Sequence, residues 1–226
     1  MKDNRIDCII NLIKDNGTVV DVGSDHAQLA IKLLIQNKAK HVYNIEINNN
    51  PYQNTLCNLK AKNLLNKTTN ICANGLKTLD IQETINYCVI AGMGGNKITQ
   101  ILAETNTKLK IKKFILLPNN SADSLRFFLR KMKYKLFFEK IIQEKKYYYQ
   151  LIVASKNSGL SINNSREIYF GSYNLRHPSK LFNQMNETRL QYIEKNKLYI
   201  HNHKIKQEWK LLKEERQKNY ENYSNR

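Results

Sequence analysis

The feature that most narrows the fold is the order of apolar runs over the first two thirds of the chain. Five short runs, at 18–22, 41–45, 70–72, 87–91 and 114–117, are separated by stretches with helical patterning or turn residues. Two more, at 134–142 and 147–154, follow with only polar residues from Gln143 to Lys146 between them. Strands that alternate with helices build a mostly parallel sheet. Two strands joined so closely pair as an antiparallel hairpin. The pattern predicts an α/β chain with seven strands in one sheet and helices at 6–13, 27–36, 51–65, 96–104 and 121–131, the last opened by Ser121 as N-cap.

Five alternating strands closed by a hairpin are the layout of the Rossmann-like methyltransferase sheet, and ordinary dinucleotide dehydrogenase domains lack the hairpin. Residues 157–165 form a polar linker. From 179 to 220 the chain contains no Gly or Pro. Apolar residues including Leu181, Met185, Leu190, Ile193, Leu198, Ile205, Trp209 and Leu212 recur there at roughly helical spacing. This reads as one long helix or two antiparallel ones turning at His201-Asn202-His203, with Pro178 as an opener. Two domains are expected: 1–156, and 157–226 as a helical, coiled-coil-like extension.

The chain of 226 residues carries a formal charge of +18, which points to a polyanionic partner. The 29 Lys against 8 Arg, with 30 Asn, also fit the drift of an AT-rich genome, so the charge alone does not decide. No run reaches the roughly 18 apolar residues of a membrane span, and no apolar segment of a secretory signal follows Met1. A cytoplasmic protein without membrane contact is expected. Cys8, Cys57, Cys72 and Cys88 show no metal-ligand spacing, so neither a metal site nor a disulfide framework is expected.

The chemistry gathers at the ends of the expected strands. Val19-Val20-Asp21-Val22-Gly23-Ser24-Asp25-His26-Ala27 is a strand, a glycine turn and a helix start. It lacks the G-x-G-x-x-G fingerprint of pyrophosphate binding. The carboxylates of Asp21 and Asp25 would oppose a phosphate, but favour a ligand carrying a sulfonium and an ammonium, such as S-adenosylmethionine. Glu46, followed by Ile47, stands where an acid can accept both ribose hydroxyls. Ala73-Asn74-Gly75 either meets the edge of an adenine or is a plain turn. Ala91-Gly92-Met93-Gly94-Gly95 marks backbone that passes close to a ligand. Pro118-Asn119-Asn120 adds amides to the same rim.

At these residues the chain resembles the bacterial tRNA (adenine(22)-N1)-methyltransferase family. The matching strings are Asp21 to Ala27, Val89 to Gly95, Leu117-Pro118-Asn119, Leu151-Ile152-Val153-Ala154 and Phe170-Gly171. Leu117 stands where the family usually has Gln, and the tail is short for a long helical hairpin. The resemblance implies methyl transfer from S-adenosylmethionine to N1 of an adenine in the tRNA D-arm, without a metal, and a C-terminal domain that helps to hold tRNA. It makes Asp21, Gly23, Ser24, Glu46, Ile47, Asn74, Gly75, Ala91, Gly92, Met93 and Gly94 the expected cofactor-binding set. Asp25 is expected to stabilise the base that becomes cationic, with Asn119 and His26 as further base contacts. A packing or capping role competes for His26. A monomer is the expected form.

RNA contacts are expected from Lys108, Lys110, Lys112, Arg126, Arg130, Lys131, Lys133, Lys135, Arg189, Lys197 and Lys204, any of which could instead be simply a solvated charge. Tyr147, Tyr148 and Tyr149 either stack a base or pack in the core. The competing readings are a methyltransferase for another RNA site or a small molecule, a non-catalytic RNA-binding module, and an NAD-binding protein.

Overall fold

The computed structural model describes residues 5–224, apart from the side chains of Asp25 and of residues 219–224. Seven strands form one sheet in the order β3-β2-β1-β4-β5-β7-β6. They are β1 (Gly17–Val22), β2 (Ala39–Glu46), β3 (Thr68–Cys72), β4 (Ile85–Ala91), β5 (Ile111–Leu117), β6 (Lys135–Glu144) and β7 (Tyr147–Ser155). The first five run parallel, and β7 is antiparallel to both of its neighbours. Every residue of β1 is buried, as a central parallel strand covered on both faces requires.

The helices of the sheet are α1 (Arg5–Leu12), α2 (Gln28–Ile35), α3 (Asn49–Ala61), α4 (Gly95–Ala103) and α5 (Ala122–Lys131). Alternation along the strands splits the core in two. Val20, Val22, Cys88, Ile90 and Leu116 pack with Ile98, Ile101, Leu125 and Leu129 of α4 and α5. Val19, Val42, Val89 and Leu117 pack on the other face with Ile9, Ile10, Leu33, Leu34 and Leu59 of α1, α2 and α3. Ser121 precedes α5 as expected, but its backbone is left-handed and its side chain makes no capping bond.

Beyond the sheet the structure is more regular than a polar linker. Leu160 bridges back to Leu136, and Ile162 is buried. Two short helices follow, α6 (Ser165–Phe170) and α7 (Ser172–Arg176), where no helix was expected. The tail is a helical hairpin of α8 (Lys180–Lys195) and α9 (His203–Ser224). Glu187 faces Arg216 while Glu194 faces Trp209, so the two helices run antiparallel. Ser179 caps α8 by accepting from Phe182 N at 3.1 Å. Pro178 therefore precedes the cap and does not occupy the first helical position. A third cluster, with Phe170, Phe182, Leu190, Ile193 and Leu212, joins this tail to Ile141 of β6.

The tail is tied to the sheet by a buried ion pair, which corrects the expectation that Arg126 contacts RNA. Its side chain is fully buried, and Nε donates to Glu139 Oε1 at 2.7 Å. The remaining nitrogens donate to Tyr169 O at 2.9 Å and to Gln150 Oε1 at 2.6 Å. Glu139 Oε2 accepts from the N–H groups of Tyr173 and Asn174. Burial pushes the Glu139 carboxyl up, and the guanidinium and these N–H groups pull against that push. At Gly171 (φ +91°) a Cβ would collide with the same carboxylate. Arg126→Met would leave Glu139 buried without its counter-charge, a change that costs about 3–5 kcal/mol in such pairs. Urea unfolding should show that loss. Stability equal to the parent protein would mean that the pair does not hold the tail.

Candidate functional site

The strand order reverses direction between β1 and β4, and an open α/β sheet leaves a crevice at such a point, at the carboxyl ends of its strands. Asp21 lies there on β1, beside Asn44 of β2 and Val89 of β4. It is 5% exposed. Burial, and secondarily the charge of Glu46, push its carboxyl up to about 7. No hydrogen bond from a described residue reaches it. A carboxylate held in this way is an attractive partner for a cation.

Glu46, at the end of β2, is also buried, and its Oε1 accepts from Ser24 Oγ at 3.1 Å. Ser24 Oγ lies 3.5 Å from Thr55 Oγ1 on α3. The motif after β1 and the acid after β2 are thus joined directly, a contact that spacing alone did not reveal. Ile47 follows Glu46 and is 54% exposed at the rim. Its carbonyl is 3.8 Å from Cys72 Sγ. Ala73 N donates to Glu46 O at 2.8 Å and so brings the β3 loop alongside. Asn74 is exposed there, and Gly75 turns at φ +66° against Ile101.

The turn after β1 passes through a short 3-10 segment, Asp25–Ala27, before α2 begins. His26 and Ala27 both take positive φ, at 62° and 57°. Asn58 of α3 holds this turn by donating to His26 O at 3.0 Å. His26 itself is exposed, and Ala27, not His26, caps α2. The side chain of Asp25 lies outside the described residues.

Opposite this turn, the glycine run divides into two tasks. Gly92 turns at φ +77°, and a Cβ there would meet nothing within 4 Å. Gly95, in contrast, is required by the protein itself: a Cβ would strike the carbonyl of Ser121. Ala91 ends β4, Gly94 caps α4 beside Asn120 Oδ1, and Met93 lies between. Gly23 (φ +77°) faces Met93, whose Cε would be 2.5 Å from a Cβ at that position. The Met93 side chain therefore reaches across from the turn after β4 to the turn after β1. Asn119 is exposed at the rim, yet its Nδ2 donates inward to Gly92 O at 2.6 Å and its N to Met93 O at 2.8 Å. Its amide nitrogen braces the glycine loop, which leaves Oδ1 as its outward-facing function.

The remaining candidates are spread more widely. Among the expected RNA contacts, Arg189 is held by Glu208 through bonds of 2.7 and 2.9 Å. The three tyrosines separate: Tyr149 packs under the Arg5 guanidinium, Tyr148 joins the tail cluster, and Tyr147 is 56% exposed. No helix among the described residues is long and apolar enough to cross a membrane.

The family model for tRNA (adenine(22)-N(1))-methyltransferase matches residues 19–221. The chain belongs to that family. It is 30% identical over 151 residues to the tRNA (adenine(22)-N(1))-methyltransferase of Bacillus subtilis, covering 66% of this chain and 63% of that one. Streptococcus pneumoniae Sp1610 in complex with S-adenosyl-L-methionine is similar over 95% of this chain and 99% of its own, at 28% identity and a TM-score of 0.85. M. capricolum TrmK in complex with S-adenosyl-homocysteine is similar over 93% and 95%, at 27% identity and a TM-score of 0.83. The fold is the Rossmann-like methyltransferase sheet with a C-terminal helical extension.

The raised carboxyl of Asp21 has a consequence for stability. In the ligand-free protein the folded state keeps a proton that the unfolded chain releases between about pH 4 and about 7. Stability must then fall as pH rises through that window. At roughly 1.4 kcal/mol per pKa unit, Asp21→Asn should be the more stable protein at pH 8 by on the order of 2–4 kcal/mol. The difference should vanish near pH 4. Urea unfolding at the two pH values measures it, and an Asn variant that is less stable at pH 8 would contradict the assignment.

Proposed function

We propose that the protein transfers a methyl group from S-adenosylmethionine to N1 of adenine 22 in the D-arm of tRNA, acting as a cytoplasmic monomer without a metal. The observation that carries this reading is the pair of buried carboxylates, Asp21 and Glu46, at a rim of bare glycine backbone. The cofactor supplies an electrophilic methyl on a cationic sulfur. Negative charge buried at the rim, with the Asp21 carboxyl pushed up by burial, suits such a ligand, and a pyrophosphate would be repelled by it.

Each residue then has a defined task. Glu46, oriented by Ser24, accepts the ribose hydroxyls. Asp21 supplies negative charge for the cationic end. Gly23, Ala91, Gly92, Met93 and Gly94 let main chain approach the ligand on both sides of the crevice. Ile47, Asn74 and Gly75 bound the adenine end. N1 of a neutral adenine carries an in-plane lone pair, so no residue has to remove a proton before attack. The protein's work is orientation and exclusion of water. The methylated base is cationic, and Asp25 stabilises the developing charge, with Asn119 Oδ1 and His26 as further contacts. A base paired in a stem offers no free N1, so the nucleotide leaves the stack. The catalytic unit is residues 1–156, and 157–226 carries RNA contacts.

Glu46→Ala should weaken S-adenosylmethionine binding in calorimetry, by roughly tenfold or more for the loss of charge-assisted bonds. Unchanged affinity would remove Glu46 from the ribose. Asp25→Ala should lower methyl transfer at least ~10²-fold while cofactor affinity holds. Parental turnover in that variant would exclude Asp25 from the chemistry. A tRNA transcript with guanine at position 22 should accept no methyl group, and incorporation elsewhere would move the target.

A further inference from the structure

A cleft of about 960 Å³ lies between α5, the tip of the β6–β7 hairpin and the helices α6, α8 and α9. Its volume is at the upper end of the roughly 300–1,000 Å³ of ordinary ligand sites. The cleft is not the crevice described above, but it opens on the same edge of the sheet. Ser121 and Ala122 line it, two and three residues after the Asn119 that braces the glycine loop. The hairpin overhangs that edge. Leu116 pairs with Ile152 at the end of β5, whereas β7 begins at Tyr147. Four residues of β7 therefore extend past the last residue of β5, by ~14 Å at strand rise.

The lining has an unusual composition. Three large aromatic side chains come from three separate elements: Phe127 of α5, Tyr147 of β7 and Tyr192 of α8. They are 57%, 56% and 54% exposed. Cations stand over two of the rings, Lys146 over Tyr147 and Arg189 over Tyr192, yet folding alone gives no reason to leave three such rings more than half exposed around one hollow. The floor is rigid and electrically matched, because Glu208 accepts from Tyr169 Oη at 2.6 Å as well as from Arg189. Outside that matched pair, Arg130, Lys146 and Lys204 line the cleft against the single carboxylate of Asp123. Lys204 is 82% exposed, and its Nζ stands 3.8 Å from Asp123. Lys146 Nζ lies 5.5 Å from the centre of the Tyr147 ring, within reach of a phosphate on any base that stacks there. Exposed rings interleaved with surplus cations suit single-stranded nucleic acid, whose bases stack and whose backbone is anionic.

We propose that this cleft holds unpaired nucleotides of the tRNA next to the methylated adenine, their bases on Phe127, Tyr147 and Tyr192 and their phosphates facing Arg130, Lys146 and Lys204. The inference rests on the proposed tRNA substrate and names a second contact surface for it. The glycine crevice takes the target base, and the cleft fixes the strand that leads to it. Discrimination among RNAs then depends on whether unpaired nucleotides stand at the right distance from position 22.

The test uses the full-length protein with an unmodified tRNA transcript and, as a polyanion without bases, heparin. Tyr147→Ala and Tyr192→Ala should each weaken tRNA binding in fluorescence anisotropy roughly fivefold or more and raise KM for tRNA. Heparin affinity, cofactor affinity and melting temperature should stay unchanged. Tyr147→Phe and Tyr192→Phe keep the ring and should restore tRNA binding. Arg130→Gln, Lys146→Gln and Lys204→Gln should each lower the slope of log affinity against log salt by about 0.7–0.9. Unchanged tRNA affinity in the double variant Tyr147→Ala/Tyr192→Ala would overturn the proposal. So would equal losses for tRNA and heparin. Parental protein that binds tRNA through these rings but neither takes up S-adenosylmethionine nor methylates RNA would overturn the proposed activity instead, leaving the cleft assignment intact.

Discussion

The ion pair between Arg126 and Glu139 fixes how the two halves of this protein meet. Both side chains are fully buried, and charges taken out of water are costly unless every polar atom finds a partner. Here they do. The guanidinium is shared among a carboxylate, an amide and the carbonyl of Tyr169, while the second carboxylate oxygen takes the backbone N–H groups at the start of α7. These bonds are directional, whereas the apolar contacts around Phe170 and Phe182 would tolerate sliding. The pair therefore specifies the angle of the tail. Gly171 completes the arrangement, since no side chain fits where the carboxylate approaches the main chain.

At the other end of the sheet the same physics is used with the opposite outcome. Asp21 is as deeply placed as a core residue, but it receives neither a cation nor a hydrogen bond from the described residues. A group in this state raises the free energy of the ligand-free protein, and a cationic ligand recovers that energy on binding. Glu46 differs because Ser24 already orients it. The crevice thus contains one carboxylate that is prepared for geometry and another that is prepared for charge. The glycines supply space only where it is needed: Gly92 faces open volume, while Gly95 serves the contact between two loops.

The sheet was readable in the chain because its strands are buried on both faces, which gives the short, continuous apolar runs that end at Val22, Ala91 and Leu117. The rim was readable for a related reason, since Asp21, Glu46 and the glycines follow those runs immediately. Arg126 was not readable. It stands in α5 near Arg130 and Lys131, and nothing local distinguishes a buried guanidinium from solvated neighbours. Its partner is concealed by a β-bulge between Leu136 and Phe138. The bulge shifts the alternation of β6, so that Phe137 is turned outward at 42% exposure and Glu139 inward at 3%. A strictly alternating strand would have put both on one face. The short helices α6 and α7 were missed because each is too brief to show a period, and their positions follow from the ion pair rather than from propensity. The contact of Ser24 with Glu46 spans two loops and leaves no trace in spacing.

One helix connects these two regions. α5 begins directly after Asn119, Asn120 and Ser121, the residues that brace the glycine loop and pack against Gly95. Little more than one turn later the same helix delivers Arg126 to the ion pair. Its outer face then presents Phe127 and Arg130 to the cleft. A displacement of α5 along its axis would disturb all three sites together: the rim by changing Ser121, the tail by drawing Arg126 from Glu139, and the cleft by moving its wall. The buried pair, with bonds from four directions, resists that displacement. Thus the charge at position 126, which the sequence offers to a polyanion, instead holds the exposed rings and cations of the cleft at a set distance from the crevice.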